Sequence, residues 1–498
     1  MCTFGAEYNM KSPSIEFDNT YAALPSRFYA RHRPDPVASP QTLVVNEELA
    51  RRLGFDPDWL RSEAGARFAT GNEVLPGADP IALVYAGHQF GNWVPRLGDG
   101  RAHLLGEVVD EDGQRFDLQL KGSGRTTYSR GGDGRAPLGP VLREYLISEA
   151  MAAYGVPTTR ALVAATTGEE VVRQGREPGG VLVRVASSHV RIGTMEYFAS
   201  QRDEEALSIL VDYVLDRHYP DASGGGALDL LRAVVEGQAR LVAKWQLVGF
   251  IHGVMNTDNM LLAAETIDYG PCAFMNDYDL ETVYSSIDRF GRYAYGNQPA
   301  IAQWNLARLA QALVPVMEGE QAVEEAQEMV DGFPDLFRQA YGEGMAKKLG
   351  LTALGDGDWP IIEDLLGVMS EASADYTLTF RRLARSLADD DELPEPWSKL
   401  LALPEEFGPW AQRWRGRLAE QDRSLEEVRA AMDAVNPLFI PRNHRVEDAL
   451  NAAVHGDVEP FFKLLDVVKN PYQRRSSRLE FARPPAAGDD VQATFCGT

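Results

Sequence analysis

The chain has 498 residues, 44% of them hydrophobic, enough to bury a large core in two to four units or one elaborated one. Its 73 acidic residues outweigh 49 basic ones for a net charge of −24, which argues against general binding to nucleic-acid phosphates and makes any local group of arginines informative. Three cysteines (Cys2, Cys272, Cys496) exclude a disulfide framework, no apolar run reaches the roughly 18–20 residues of a membrane span, and the opening MCTFGAEYNMKSPS has neither a basic nor an apolar signal-peptide region, so a cytoplasmic protein with no membrane partner is expected.

Residues 1–80 read as an irregular extension with one short helix near NEELARRLG, at 46–54. Strand patterns take over from about residue 81. RAHLLGEVVDEDGQRFDLQLKG contains two runs, Leu104–Val109 and Arg115–Lys121, joined at the hairpin signal Glu111-Asp112-Gly113. APLGPVLREYLISEAMAAYG has Pro137 near its start, apolar residues at helical spacing (Leu142, Leu146, Ala150) and a stop at Gly155. RALVAAT and GGVLVRVAS are further strands. After about residue 200 the spacing turns helical in DEEALSILVDYVLDRHY and in ALDLLRAVVEGQARLVAKWQLVGF, which delivers the chain into IHGVMNTDNMLL. More helices follow from AIAQWNLARLAQALV onward, then an acidic helical region and a proline-rich tail. The expectation is an α+β fold: a β-rich lobe at 81–200, a helical lobe at 201–435, and extensions at 1–80 and 436–498.

HGVMNTDN at 252–259, followed by DYG at 268–270, has the outline of a kinase catalytic loop and metal-binding turn. A kinase keeps its proton-accepting aspartate two residues after the histidine, where this chain has Val254. Asp258 supplies a carboxylate next door, beside Asn259. Taken alone, NTDN reads first as an Asx-rich turn closing a helix. Asp268, however, adds a second hard oxygen to Asn259, and such a pair suits Mg²⁺ or Mn²⁺ carrying a nucleotide phosphate; a short hairpin is expected to return one to the other. Lys121 ends an alternating strand in a region that otherwise uses arginine, which suggests a point charge on phosphate rather than a solvated strand end. The next helix offers Glu144 or Glu149 as its partner, with Glu144 favoured. The turns LGDGR (Gly98, Gly100, Arg101) and GGDGR (Asp133, Gly134) bring backbone N–H groups and arginines that could crowd a phosphate, although Asp-Gly is also a common turn dipeptide. Arg184 sits inside a buried-looking strand and needs a partner; with Arg191 it could form a cationic pocket for the end of a polyphosphate.

These residues, with YAGHQFGNWVPRLGDGR, LKGSGRTTYSRGGDGRAPL, SSHVRIGTMEYF, TIDYGP, GRYAYGNQPAIAQWNLARLAQAL and NPLFIPRN, resemble the selenoprotein O (SelO) family of protein-kinase-like proteins over most of the chain. The resemblance implies a two-lobed protein-kinase-like fold and transfer of AMP from ATP to Ser, Thr or Tyr hydroxyls of proteins, this protein itself among the candidates. It implies Asp258 as proton acceptor, Asn259 and Asp268 on Mg²⁺ or Mn²⁺, and a Lys121–Glu144 pair. Gly98, Gly100, Arg101, Asp133, Gly134, Arg184 and Arg191 would contact an ATP turned end for end relative to kinases. Two other readings stand beside it: a catalytically inactive nucleotide-binding pseudokinase scaffold, and UMP transfer from UTP. Some family members carry a late cysteine in a regulatory disulfide; here Cys496 is late and Cys272 follows DYG, and a plain buried thiol at Cys272 is an equal alternative.

Overall fold

Short alternating runs pair into one antiparallel sheet that carries half of the candidate site. The computed structural model describes residues 15–173, 175–355, 357–387, 407–486, 488–491 and 493–495. Its first strands are β1 (Tyr29–Arg31), β2 (Gln41–Val45) and β3 (Ile81–Leu83); β4 (Gly87–Gln89) and β5 (Asn92–Val94) form a separate hairpin. Next come β6 (Ala102–Val109), β7 (Arg115–Lys121), β8 (Ala136–Pro137), β9 (Arg160–Val172) and β10 (Arg176–Ala186). The main sheet runs β1-β3-β6-β7-β10-β9-β2, with β8 beside β10. The β6–β7 turn closes where expected, with Gly113 at φ +78°.

Residues 15–80 are not the irregular extension expected from the sequence. β1 and β2 form the two edges of the sheet, and α1 (Glu47–Arg52), α2 (Pro57–Arg61) and α3 (Glu63–Thr70) cover one face. Strands of three and five residues are too short for alternation to register, so only pairing reveals them.

Side-chain alternation decides what faces what. Leu118, Leu120, Val181, Val183 and Val185 pack under α1–α3, whereas Leu182 belongs to the core on the opposite face, with Leu142 and Leu146 of α4 (Leu138–Ala153). Gln119 and Lys121 on β7, and Arg184 on β10, are out of phase with the valines and leucines and therefore share the α4 face. The register sets Lys121 opposite Leu182 and Gln119 opposite Arg184.

Helices build the rest: α5 (Ile192–Ser200), α6 (Glu204–His218), α7 (Ala227–Leu247), α8 (Gln298–Leu313), α9 (Ala322–Asp331) and α10 (Phe333–Lys348). α7 buries Leu230, Leu231, Val234, Leu241, Val242 and Trp245 at helical spacing and packs on α8 and α10. A second core gathers α11 (Trp359–Glu371), α12 (Tyr376–Arg385), α13 (Phe407–Ala419) and α14 (Leu425–Val435) around Trp410, Trp414, Tyr376 and Phe380. Residues 436–486 then return to the sheet side, where α15 (Asn443–Val454) and α16 (Glu459–Val468) lie against α4.

α7 ends at Gly249 (φ +69°), and the chain enters β11 (Phe250–Ile251), which pairs with β12 (Ala273–Phe274). Both sequence motifs hang between these two short strands. The hairpin expected between Asn259 and Asp268 is absent. Residues 260–262 instead bond to Val190 and Ile192, and Thr266 bonds to Pro157 and Thr159. Two flanking segments therefore satisfy the backbone that a hairpin would have satisfied internally. Among the described residues, no helix is long and apolar enough to cross a membrane.

Candidate active site

Residues 257–259 form a single 3₁₀ turn, closed by the Asn259 N–H donating to the Asn256 carbonyl. His252 anchors the loop from below. Its ring is buried against Trp245 and Phe250, burial lowers its pKa, and Nε2 donates to the Ile267 carbonyl at 2.9 Å. Val254, at the position where a kinase has its base, contributes its carbonyl, which accepts from Asn259 Nδ2 at 2.9 Å. That bond turns Oδ1 of the amide the other way.

Asp258 is buried. Its Oδ2 accepts from Gln89 Nε2 at 3.1 Å, while Oδ1 has no partner. Burial pushes its pKa up to about 6, against the opposing pull of Arg191 and Gln89. A carboxylate with one unpaired oxygen and a pKa near neutrality is suited to receiving a proton.

Asp268 adopts φ +63°, a left-handed conformation uncommon outside glycine, and this aims its carboxylate at three cations. Oδ1 accepts from Lys121 Nζ at 2.6 Å and Arg184 Nη1 at 2.7 Å; Oδ2 accepts from Arg191 Nη1 at 2.7 Å. Burial alone would raise this carboxyl, but the three charges overcome burial and hold it well below the usual range. Lys121 also meets Glu144 at 2.6 Å, and Arg184 meets Glu144 at 2.9 Å and Gln119 Oε1 at 2.6 Å. Glu149 pairs elsewhere, with Arg160. Arg184 and Arg191 thus converge on Asp268 rather than forming a separate cationic pocket. Arg191 also donates to the Asp258 carbonyl, so one guanidinium joins the two motifs.

The two glycine turns pack against one another's neighbourhoods. Gly98 (φ +109°) lies under the Tyr128 ring, and the Gly100 carbonyl accepts from Ser129 Oγ at 2.5 Å. Arg101 follows at the start of β6, its carbonyl accepting from Gly122 N at 2.7 Å. Gly134 (φ +70°) approaches Gly124 so closely that a Cβ would overlap its carbonyl. Asp133 is bound by Arg173, which lowers its pKa to about 2.

Reasoning from sequence gave no role to the β4–β5 hairpin, which caps the 257–259 turn. His88 N donates to Thr257 Oγ1 at 2.7 Å, Gln89 holds Asp258, and Phe90 N donates to Asn256 Oδ1 at 3.0 Å. Tyr293 OH reaches the same Asn256 oxygen at 2.8 Å. The available signal was the polar-aromatic run GHQFGNW inside one of the family-like stretches; nothing in its spacing points at Asp258, 169 residues away.

Among the described residues, no group of three or more His, Cys, Asp or Glu side chains could cage a metal by itself. The donors present suit a divalent ion that takes its remaining ligands from phosphate and water. Asn259 offers Oδ1, and Asp268 Oδ2, with a single accepted bond, retains a lone pair. Cys272 is buried, and Cys496 lies outside the described residues.

Comparison with known proteins adds lineage to this geometry. A family model described as "Protein adenylyltransferase SelO" matches residues 12–469. A Nitrobacter hamburgensis protein named protein nucleotidyltransferase YdiU is 53% identical over 493 residues, which span 97% of this chain and 96% of the relative. Proteins of the same name from Rhodopseudomonas palustris (strain BisB5) and Bradyrhizobium diazoefficiens are each 54% identical, covering 97% of this chain and 99% of theirs.

Proposed function

The chain belongs to the SelO family of nucleotidyltransferases, and from that premise we propose that it is a cytoplasmic, metal-dependent protein adenylyltransferase with a protein-kinase-like two-lobed fold, using ATP to modify Ser, Thr or Tyr hydroxyls. Membership in an enzyme family sets the inactive-scaffold reading aside. The observation that carries the proposal is the Asp258 carboxylate: buried, poised near neutrality, with one oxygen unpaired, and adjacent to Asn259.

In this reading the acceptor hydroxyl oxygen attacks the α-phosphorus of ATP and its proton passes to Asp258 Oδ1. The bond from the α-phosphorus to the bridging oxygen breaks, and pyrophosphate leaves. Asn259 and Asp268 would hold Mg²⁺ or Mn²⁺, which supplies neutralisation of the triphosphate charge. Lys121, Arg184 and Arg191 outnumber the two carboxylates among them, Glu144 and Asp268, leaving an excess of positive charge for phosphate. Gly98, Gly100, Arg101, Asp133 and Gly134 line the nucleotide on the sheet side.

The relatives' broader name, nucleotidyltransferase, favours carrying UTP as a second donor into the same experiment. Purified protein is incubated with metal and α- or γ-labelled ATP, or α-labelled UTP, and the products are read by intact mass. Adenylyl adducts bearing the α-label and no γ-label are expected. Phosphate adducts bearing γ-label would make the protein a kinase, and preferential uridylyl adducts would reassign the donor.

A further inference from the structure

An arginine-rich surface adjoins Asp258 and has no use in the chemistry above. Arg292 and Arg308 both place their guanidinium groups over the Trp304 ring, at 4.8 and 5.0 Å from its centroid. Neither makes an ion pair among the described residues, and the Nε of each is buried without a hydrogen-bond partner. In a chain of net charge −24, two arginines stacked on one ring without an ion pair make a local positive group. Two carboxylates lie close by: both oxygens of Asp288 accept from the backbone of Arg292 and Tyr293, whereas Glu196 holds His88 through Oε1, leaves Oε2 without a hydrogen bond and feels the Arg308 charge without forming an ion pair with it.

The surface is tied to the catalytic turn. His88 packs against both Trp93 and Trp304, with ring centroids 5.0 and 5.4 Å apart, and the Arg292 guanidinium lies against Gly91 at the hairpin tip. Gly91 is two residues from Gln89, so at most about 7 Å of backbone separates the arginine contact from the residue that holds Asp258. Trp93, against His88, is 40% exposed, and Phe290, two residues before Arg292, is 97% exposed. Aromatic and arginine side chains together are the composition of a binding hot spot.

We infer that this surface, formed by the β4–β5 hairpin, residues 289–292 and residues 304–308 of α8, docks an acidic segment of the acceptor protein, about two to four residues from the hydroxyl that receives the nucleotide. It rests on the placement of the transfer site at Asp258. Charge complementarity selects the occupant, because a basic segment would meet the unpaired arginines and an apolar one would leave them buried without partners.

The test measures binding of the full chain to fluorescein-labelled peptides with one central Tyr flanked by Glu, and to the same peptides flanked by Lys, by fluorescence anisotropy at low and high salt. The Glu peptide should bind about tenfold tighter than the Lys peptide despite the protein's negative charge, and salt should weaken it. The Arg292→Glu/Arg308→Glu double variant should reverse the preference, and the milder Arg292→Gln/Arg308→Gln pair should abolish it. Both variants should keep the wild-type thermal shift with ATP and Mn²⁺, which reports folding and nucleotide binding. Equal binding of the two peptides, or a Glu preference that survives in both variants, overturns the docking site. If docking holds while no α-label reaches any acceptor, the transfer reading fails instead. Label that reaches acceptors regardless of flanking charge leaves transfer standing and removes the docking site.

Discussion

Burial of the Asp258 carboxylate carries a cost to the fold. Its folded pKa of about 6 lies above its ordinary value of 3.8, so the folded state holds the proton more tightly than the unfolded chain. Stability from this group is therefore greatest below 3.8 and is lost as pH rises through about 6, a cost of about 3 kcal/mol at neutral pH. Asp258→Asn should raise the urea midpoint at pH 7 in protein free of nucleotide and metal, and the gain should shrink as pH is lowered toward 4.5. The same variant should lose about 10²–10⁴ in transfer rate while still binding ATP. A variant no more stable than wild type at pH 7 would show that the carboxylate is solvated. Asp268 has the opposite character. Removing it in Asp268→Ala leaves Lys121, Arg184 and Arg191 converging on an absent charge. That should destabilise the protein by about 3–5 kcal/mol and erase the metal-dependent thermal shift with ATP. An unchanged shift would place the metal elsewhere.

At the scale of elements, the β4–β5 hairpin holds Asp258 and the turn around it. A Cβ added at Gly87 would lie 2.7 Å from Asp258 Oδ1 and 3.1 Å from Thr257 Oγ1, both on short side chains with little room to move. Gly87→Ala should therefore displace Asp258 and reduce turnover by about 10²-fold with the KM for ATP little changed. Gln89→Ala removes the side-chain hydrogen bond that lowers the Asp258 pKa. The acid limb of the kcat–pH profile should then move to higher pH. A rate loss in either variant that comes with equal loss of ATP affinity would mean that the hairpin supports the nucleotide rather than the base.

Across the whole molecule, the C-terminal region braces the helix that carries Glu144. α15 and α16 pack on α4, and Arg143, the neighbour of Glu144, pairs with Glu447 and reaches the Cys272 carbonyl. Arg442, fully buried, ties this region to the other core: it meets Asp375 at 2.5 Å, Asn276 at 2.7 Å and the Ala482 carbonyl at 3.1 Å. Arg442→Ala should cost about 3–5 kcal/mol, because Asp375 would be left buried without its counter-charge. Hydrogen exchange should rise together in residues 436–482 and in α4. Fast exchange confined to the C-terminal residues would show that the brace and α4 open separately.

Patterns that repeat within one element were legible from the sequence alone. The β6–β7 hairpin, α4, α6 and α7 follow from period-2 and period-3.6 spacing and from glycine stops, because local backbone geometry writes those periods into the chain. Asp258, Asn259, Asp268 and Lys121 stood out by residue type and spacing, and Arg184, with Arg191 beside it, as a charge inside a buried-looking strand that needs a partner. What only the tertiary structure decided depends on segments far apart in sequence. The edge strands β1 and β2 exist through their neighbours, and no hairpin links Asn259 to Asp268 because residues 157–159 and 190–192 take those backbone bonds. The gathering of three cations on one carboxylate, and the holding of Asp258 by Gln89 from 169 residues away, likewise have no sequence signature. A pKa near 6 on an aspartate is a property of burial and of the charges around it, and both are settled only when the chain has packed.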